Sequence, residues 1–213
     1  MVLVSLPLHS RGEGSPMPSG CQPFLTRRFD LALQFASGLH HSQCRKGTPI
    51  PYISHLMAVS ALVLEAGGDE DLAIAALLHD AVEDQGGQPT LQTIRRMFGD
   101  RVATVVMECS DTDREPKPPW RERKEQYLTH LLSASTDALL VSIADKLHNA
   151  RSVLADYRRH KENVWMRFSA GKKEQFWYYG ELVRVFKQRR PEDALVTEFA
   201  RVVKELKDLG EAG

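Results

Sequence analysis

Cysteine is scarce in this chain. There are three in 213 residues, Cys21, Cys44 and Cys109, an odd number with no CxxC pair among them. That argues against a disulfide framework, and reduced thiols in a cytoplasmic protein are the simplest expectation. An excess of charge of either sign is also missing: Lys+Arg and Asp+Glu both number 28, for a formal net charge of zero. A uniformly basic surface for a nucleic-acid polymer is therefore not expected, although a local basic pocket is allowed. No apolar run approaches the roughly 20 residues of a membrane-spanning helix. The opening MVLVSLPLHSRG lacks both the charged region and the small-residue cleavage site of a secretory signal. Neither a membrane partner nor export is expected. Strand-like alternation, βαβ order and internal repeats are absent too.

What is present is helical periodicity over the length of one domain. Residues 1–24, rich in Gly, Pro and Ser, read as a loose arm, and an ordered domain is expected over 25–213. TRRFDLALQFASGLHH places Phe29, Leu33 and Ala36 on one helical face. RKGTPIPY must be a loop, since its two prolines forbid a helix. YISHLMAVSALVLEAGG reads as a helix stopped by Gly67 and Gly68, and DEDLAIAALLHDAVED as the next continuous helix, apolar on every side from Leu72 to Leu78. PTLQTIRRMFG and DRVATVVMECS form a helix pair, with Thr90 and Asp100 as expected N-caps. DTDREPKPPW is a loop. Helices follow over RERKEQYLTHLL, TDALLVSIADKLHNARSVLADYRR, 172–188 and 192–209. The expected fold is an all-α, single-domain bundle; no feature specifies an oligomeric state.

The segment ALLHDAVEDQGG, residues 76–87, poses a physical problem. On a helix, residues four apart share a face, so His79 stands beside Glu83 and Asp80 beside Asp84 at the end of a buried segment. Two carboxylates ~5 Å apart repel by roughly 3 kcal/mol at an effective dielectric near 20. That is a large share of the ~5–15 kcal/mol that holds a domain together. Arginines or a metal ion should offset it. Two other segments can complete a site: His55 in the largely apolar YISHLMAVSALV, and Asp145 in SIADKLHNARS, where Asp145, His148, Asn149 and Ser152 share one face. Periodicity alone leaves that stripe facing either solvent or a polar cleft.

The order His55, His79-Asp80, Asp145 resembles the H…HD…D pattern of the HD superfamily of metal-dependent phosphohydrolases. RKGTPIPYISH, AALLHDAVED, FGDRVATVV and IADKLHNARS further resemble the hydrolase domain of the RelA/SpoT family, which degrades the alarmones (p)ppGpp. The resemblance spans residues 26–190 and leaves no room for that family's synthetase or regulatory domains, so it implies a stand-alone small alarmone hydrolase. It implies an HD-type fold, with His55, His79, Asp80 and Asp145 as metal ligands. The mixed nitrogen and oxygen donors suit Mn²⁺, Fe²⁺, Co²⁺ or Zn²⁺, and the family preference is Mn²⁺. By the same resemblance Glu83 and Asp84 orient or deprotonate the attacking water, Arg45 and Lys46 contact the substrate, and Asn149 and Ser152 lie near the nucleotide sugar. The expected reaction is hydrolysis of the 3′-pyrophosphate of a guanosine alarmone; an adenine counterpart, another nucleotide phosphate, or a non-catalytic nucleotide sensor are the alternatives. The chain departs from the family in three places: a longer stretch between Arg45 and His55, QGGQPT after Glu83-Asp84 where threonine commonly follows, and TDREPKPPWRERKEQYL. Ser152 also stands where threonine is common.

Other polar and aromatic residues read more plainly. His40 and His41 suit the end of a helix, where positive charge is favoured. FWYYG at 176–180 reads as core packing rather than a base-stacking platform. His148 reads as structural or as a partner of the ligand set, and Tyr52 as either packing or a base contact.

Overall fold

The computed structural model describes residues 25–110 and 118–211, so the expected N-terminal arm and most of the DTDREPKPPW loop lie outside the described residues. Helix α1 (Arg27–Leu39) begins where the Thr26 side chain accepts from the Arg28 N–H, and α2 (Ile53–Glu65) ends at Gly67, whose φ of 83° needs a residue without Cβ. The Asp69 carboxylate caps α3 (Glu70–Leu78) by accepting from the Leu72 N–H. Every residue from Leu72 to Leu78 is buried, as the all-round apolar pattern requires, because α1, α2, α6 (Asp100–Cys109) and α8 (Thr136–His160) surround this helix. Each large aliphatic side chain so enclosed contributes about 1.5–3 kcal/mol. The central helix is therefore a rigid base for whatever its C-terminal end carries.

That end is not the continuous helix expected. α3 stops at Leu78, and a separate turn, α4 (Ala81–Asp84), starts after Asp80, whose φ and ψ are −94° and −3°. His79 supplies the cause: its Nδ1 hydrogen-bonds the Ala76 carbonyl at 2.8 Å, the acceptor that an unbroken helix would offer to the Asp80 N–H. The two expected caps also differ. α5 (Gly87–Phe98) starts early because Gly86, at φ 105°, turns the chain there. Thr90 is an interior residue whose hydroxyl donates to the Gln85 carbonyl. Gly99, not Asp100, occupies the position before α6, and Asp100 is its first helical residue.

The rest of the bundle is α7 (Trp120–Leu131), the 25-residue α8, α9 (Lys172–Arg189) and α10 (Ala194–Glu211), with an unexpected 3₁₀ helix at Lys161–Arg167. Among the described residues no strand forms, and only Cys44 and Pro51 pair in an isolated bridge. One hydrophobic core runs from Ala32 to Leu206. α8 spans it, packing against α2, α3, α6 and α10, so its polar stripe is held in fixed register with those helices. Among the described residues no helix is long and apolar enough to cross a membrane.

Candidate metal centre

Three helices bring four side chains to one point: His55 from α2, His79 and Asp80 from the break after α3, and Asp145 from α8. His55 Nε2 lies 3.2 Å from Asp145 Oδ1 and 3.6 Å from Asp80 Oδ2; His79 Nε2 lies 3.1 Å from Asp80 Oδ2 and 3.7 Å from Asp145 Oδ1. His55, His79 and Asp145 are buried. Despite these neighbours, neither Nε2 atom has a hydrogen-bond partner. Buried imidazole nitrogens left this way are costly, and both aim at the same carboxylates. Donor atoms of His55, His79 and Asp80 lie within 4.8 Å of one another, close enough to share one cation. The residues fit a divalent metal ion by geometry, by charge and by donor type.

Each imidazole is also held from behind. His79 Nδ1 donates to Ala76 O, which leaves Nε2 as the nitrogen that faces the carboxylates. His55 Nδ1 lies 2.8 Å from His148 Nδ1. Burial, then the neighbouring His55 and Arg45, lower the His148 pKa to about 4, so His148 is neutral and can accept the His55 Nδ1 proton. His148 thus orients a candidate ligand. Burial opposes charge on His79, but Asp80 and Asp145 outweigh it and hold its pKa well above the ordinary value. Burial would likewise raise Asp80 and Asp145; His79 and His55 hold Asp80 well below the carboxylate range, and Lys146 and His55 do so for Asp145.

Asp80 and Asp145 line a cavity of about 550 Å³ whose lining includes every residue of the expected site except the buried His55 and His79. Asn149 bridges two of the others: its Nδ2 donates to Asp145 Oδ1 and its Oδ1 accepts from Arg45, both at 2.5 Å. Ser152 donates to His148 O. The Lys46 ammonium lies 6.0 Å from the Phe168 ring centre. Asp84 Oδ2 accepts from Gln43 at 2.8 Å, while partial burial, Asp80 and Glu83 raise its pKa.

Several residues enter that sequence reasoning missed. Lys146 donates to Asp145 Oδ2 at 2.5 Å; its signal was its place beside Asp145 in IADKLHN. Tyr52 does more than pack, since its hydroxyl donates to Asp80 Oδ2 at 2.5 Å. His40 is buried and stacked on Tyr52 at 5.2 Å, not an exposed helix-end charge. Tyr178 and Tyr179 are core residues as expected, and they also line the cavity. Gln43 had no periodic signal, because it follows the end of α1.

The HD domain family profile matches residues 32–176. The Xenopus tropicalis protein named guanosine-3′,5′-bis(diphosphate) 3′-pyrophosphohydrolase MESH1 is 36% identical over 156 residues, covering 72% of this chain and 81% of its own. The Homo sapiens protein of that name is 38% identical over 127 residues, covering 57% and 67%. Among solved structures, that of a metazoan ortholog of SpoT described as hydrolyzing ppGpp superimposes with a TM-score of 0.70 at 26% identity, over 86% of this chain and 98% of that one. A Listeria monocytogenes EGD-e protein gives a TM-score of 0.63 at 30% identity, over 70% and 96%. With its H…HD…D residues gathered at one point and the family profile spanning most of its helices, the chain belongs to the HD domain family.

Proposed function

We propose that this protein hydrolyses the 3′-pyrophosphate of guanosine 3′,5′-bis(diphosphate)-type nucleotides, releasing pyrophosphate and GDP or GTP. The observation that carries the reading is the convergence of two partnerless, buried imidazole nitrogens on two carboxylates that line a nucleotide-sized cavity. The similarity to proteins named for this activity supports it.

In this reading His55, His79, Asp80 and Asp145 hold a divalent transition metal, with Mn²⁺ the leading choice. A cation bound there acidifies water toward neutrality and offsets phosphoryl charge. Asp84 or Glu83, on the turn that follows the ligands, takes the proton from the attacking water. The water oxygen forms a bond to the phosphorus on the ribose 3′ oxygen; the bond from phosphorus to that oxygen breaks, and the oxygen takes up a proton. Arg45 and Lys46 contribute positive charge at the cavity wall. Asn149, fixed between Asp145 and Arg45, ties the sugar-facing wall to the metal site. Ser152 presents its hydroxyl oxygen one turn further along α8.

Chromatography of products from ppGpp, its adenine counterpart and plain GTP, each with added Mn²⁺, tests the reading. The expected result is pyrophosphate and GDP from ppGpp, with GTP uncut. His79→Ala and Asp145→Ala should abolish turnover and bound metal together. Rapid cleavage of GTP, or equal metal content in wild type and both variants, would overturn it.

A further inference from the structure

Gln43 sits in the short turn between α1 and the loop that carries Arg45, and its backbone is pinned on both sides. Its N–H donates to His40 O at 3.0 Å, and its carbonyl accepts from Tyr52 N at 2.9 Å. The side chain is equally constrained. Its Oε1 accepts from Gln85 Nε2 at 2.8 Å and lies 2.7 Å from His40 Nδ1, which donates to it in the Nδ1–H tautomer. A carboxylate only accepts, so Asp84 takes the NH₂ end of the amide and Oε1 is left facing His40 and Gln85. The NH₂ is therefore directed at Asp84, where Nε2 donates to Oδ2 at 2.8 Å.

The surroundings make this more than a surface contact. His40 is 3% exposed, and its ring stacks on Tyr52, whose hydroxyl holds Asp80 Oδ2. Asp80 and Asp84 are thus tied to one frame from the same side, at opposite ends of the α4 turn. One oxygen of Asp84 is taken by Gln43, and the carboxylate lines the cavity. Gln85 supplies the second brace.

Resting on the 3′-pyrophosphohydrolase reading, we infer that Gln43 is the positioning residue that aims Asp84 as the proton acceptor, with His40 and Gln85 locking its amide. Gln43 touches neither substrate nor metal in this role. It acts through Asp84 alone, and its loss should slow the chemical step without weakening binding.

The test is a double-mutant cycle on kcat for ppGpp with saturating Mn²⁺. Gln43→Met keeps the shape and both backbone bonds while removing every side-chain hydrogen bond. It should lower kcat about tenfold or more, within the roughly 10²–10⁴-fold worth of a general base, and leave KM and the Mn²⁺-induced rise in melting temperature at wild-type values. Gln85→Met, which removes one brace, should give a smaller loss. In an Asp84→Asn background Gln43→Met should cost nothing further, whereas in a Glu83→Gln background it should keep its full effect. Equal losses in the wild-type and Asp84→Asn backgrounds, an unchanged kcat, or a change confined to KM or to the metal shift would overturn the assignment while leaving the functional reading intact. A wild-type protein that leaves ppGpp uncut defeats the functional reading, and this assignment with it.

Discussion

Nδ1 of His79 is spent on the Ala76 carbonyl, so whatever happens on this ring happens at Nε2, between Asp80 and Asp145. Without metal, those carboxylates raise the pKa of His79 well above its ordinary value and so favour a proton on Nε2. A cation can take Nε2 only by displacing that proton. Metal binding near pH 7 should therefore release about one proton per ion, and affinity should rise with pH. Calorimetry in two buffers of different ionisation enthalpy measures this directly; a buffer-independent heat would refute it. The sign for stability is the reverse. A raised histidine pKa stabilises the metal-free fold fully below about 6.5, and this is lost as pH rises through the folded value. The lowered Asp80 and Asp145 stabilise it above about 3.9 and lose this as pH falls through their folded values. The metal-free melting temperature should peak between these limits. That His55, His79, Asp80 and Asp145 meet at one point was legible in the sequence because each stood in a distinctive block. Gln43 was not, because a bracing amide in a turn leaves no pattern along the chain, and half-buried Lys146 was overlooked although it stands beside Asp145 in IADKLHN.

At the scale of the element, α8 acts as a rule laid along the cavity. Asp145, Asn149, Ser152 and Asp156 recur at helical spacing, and all line it. Steps of four and three residues move about 6 and 4.5 Å along the axis, so the stripe leads from the metal cluster toward the far wall, where Arg167 holds Asp156 at 2.7 Å. Position on this helix sets what a substitution does. Asn149→Ala breaks the link to Asp145 as well as the one to Arg45, so it should weaken metal binding and raise KM together. Ser152→Ala, one turn further on, should raise KM with metal affinity unchanged. Metal titration alongside steady-state kinetics separates the two, and identical behaviour of both variants would count against the arrangement. The periodicity of SIADKLHNARS exposed this stripe, and the all-round apolar run of α3 exposed its burial. The break at His79-Asp80 stayed hidden, since both residues keep right-handed backbone angles and only a side-chain bond to Ala76 interrupts the helix. The early start of α5 stayed hidden for a related reason: Gly86 at φ 105° is a conformational choice that QGG permits without announcing.

For the molecule as a whole, site and scaffold divide along the chain. The family profile ends at residue 176, early in α9, and no residue of α10 lines the cavity. α10 packs against α8 and α9 on the side of α8 away from the metal cluster, and Phe199 is its anchor. The Phe199 ring is fully buried, 5.6 Å from that of Phe186 and 6.2 Å from that of Tyr179. Phe199→Ala should cost about 3–5 kcal/mol of folding stability, the range for deleting a buried aromatic ring. Because the four ligand candidates sit on α2, the α3–α4 turn and α8, the folded fraction should still bind one equivalent of metal. Urea unfolding with and without Mn²⁺ checks both halves. The denaturation midpoint should fall sharply, and added metal should restore part of it, since an ion that binds only the folded state stabilises it by mass action. If the variant stays folded but no longer gains stability from metal, α10 must set the position of α8 within the centre, and the division between scaffold and site fails.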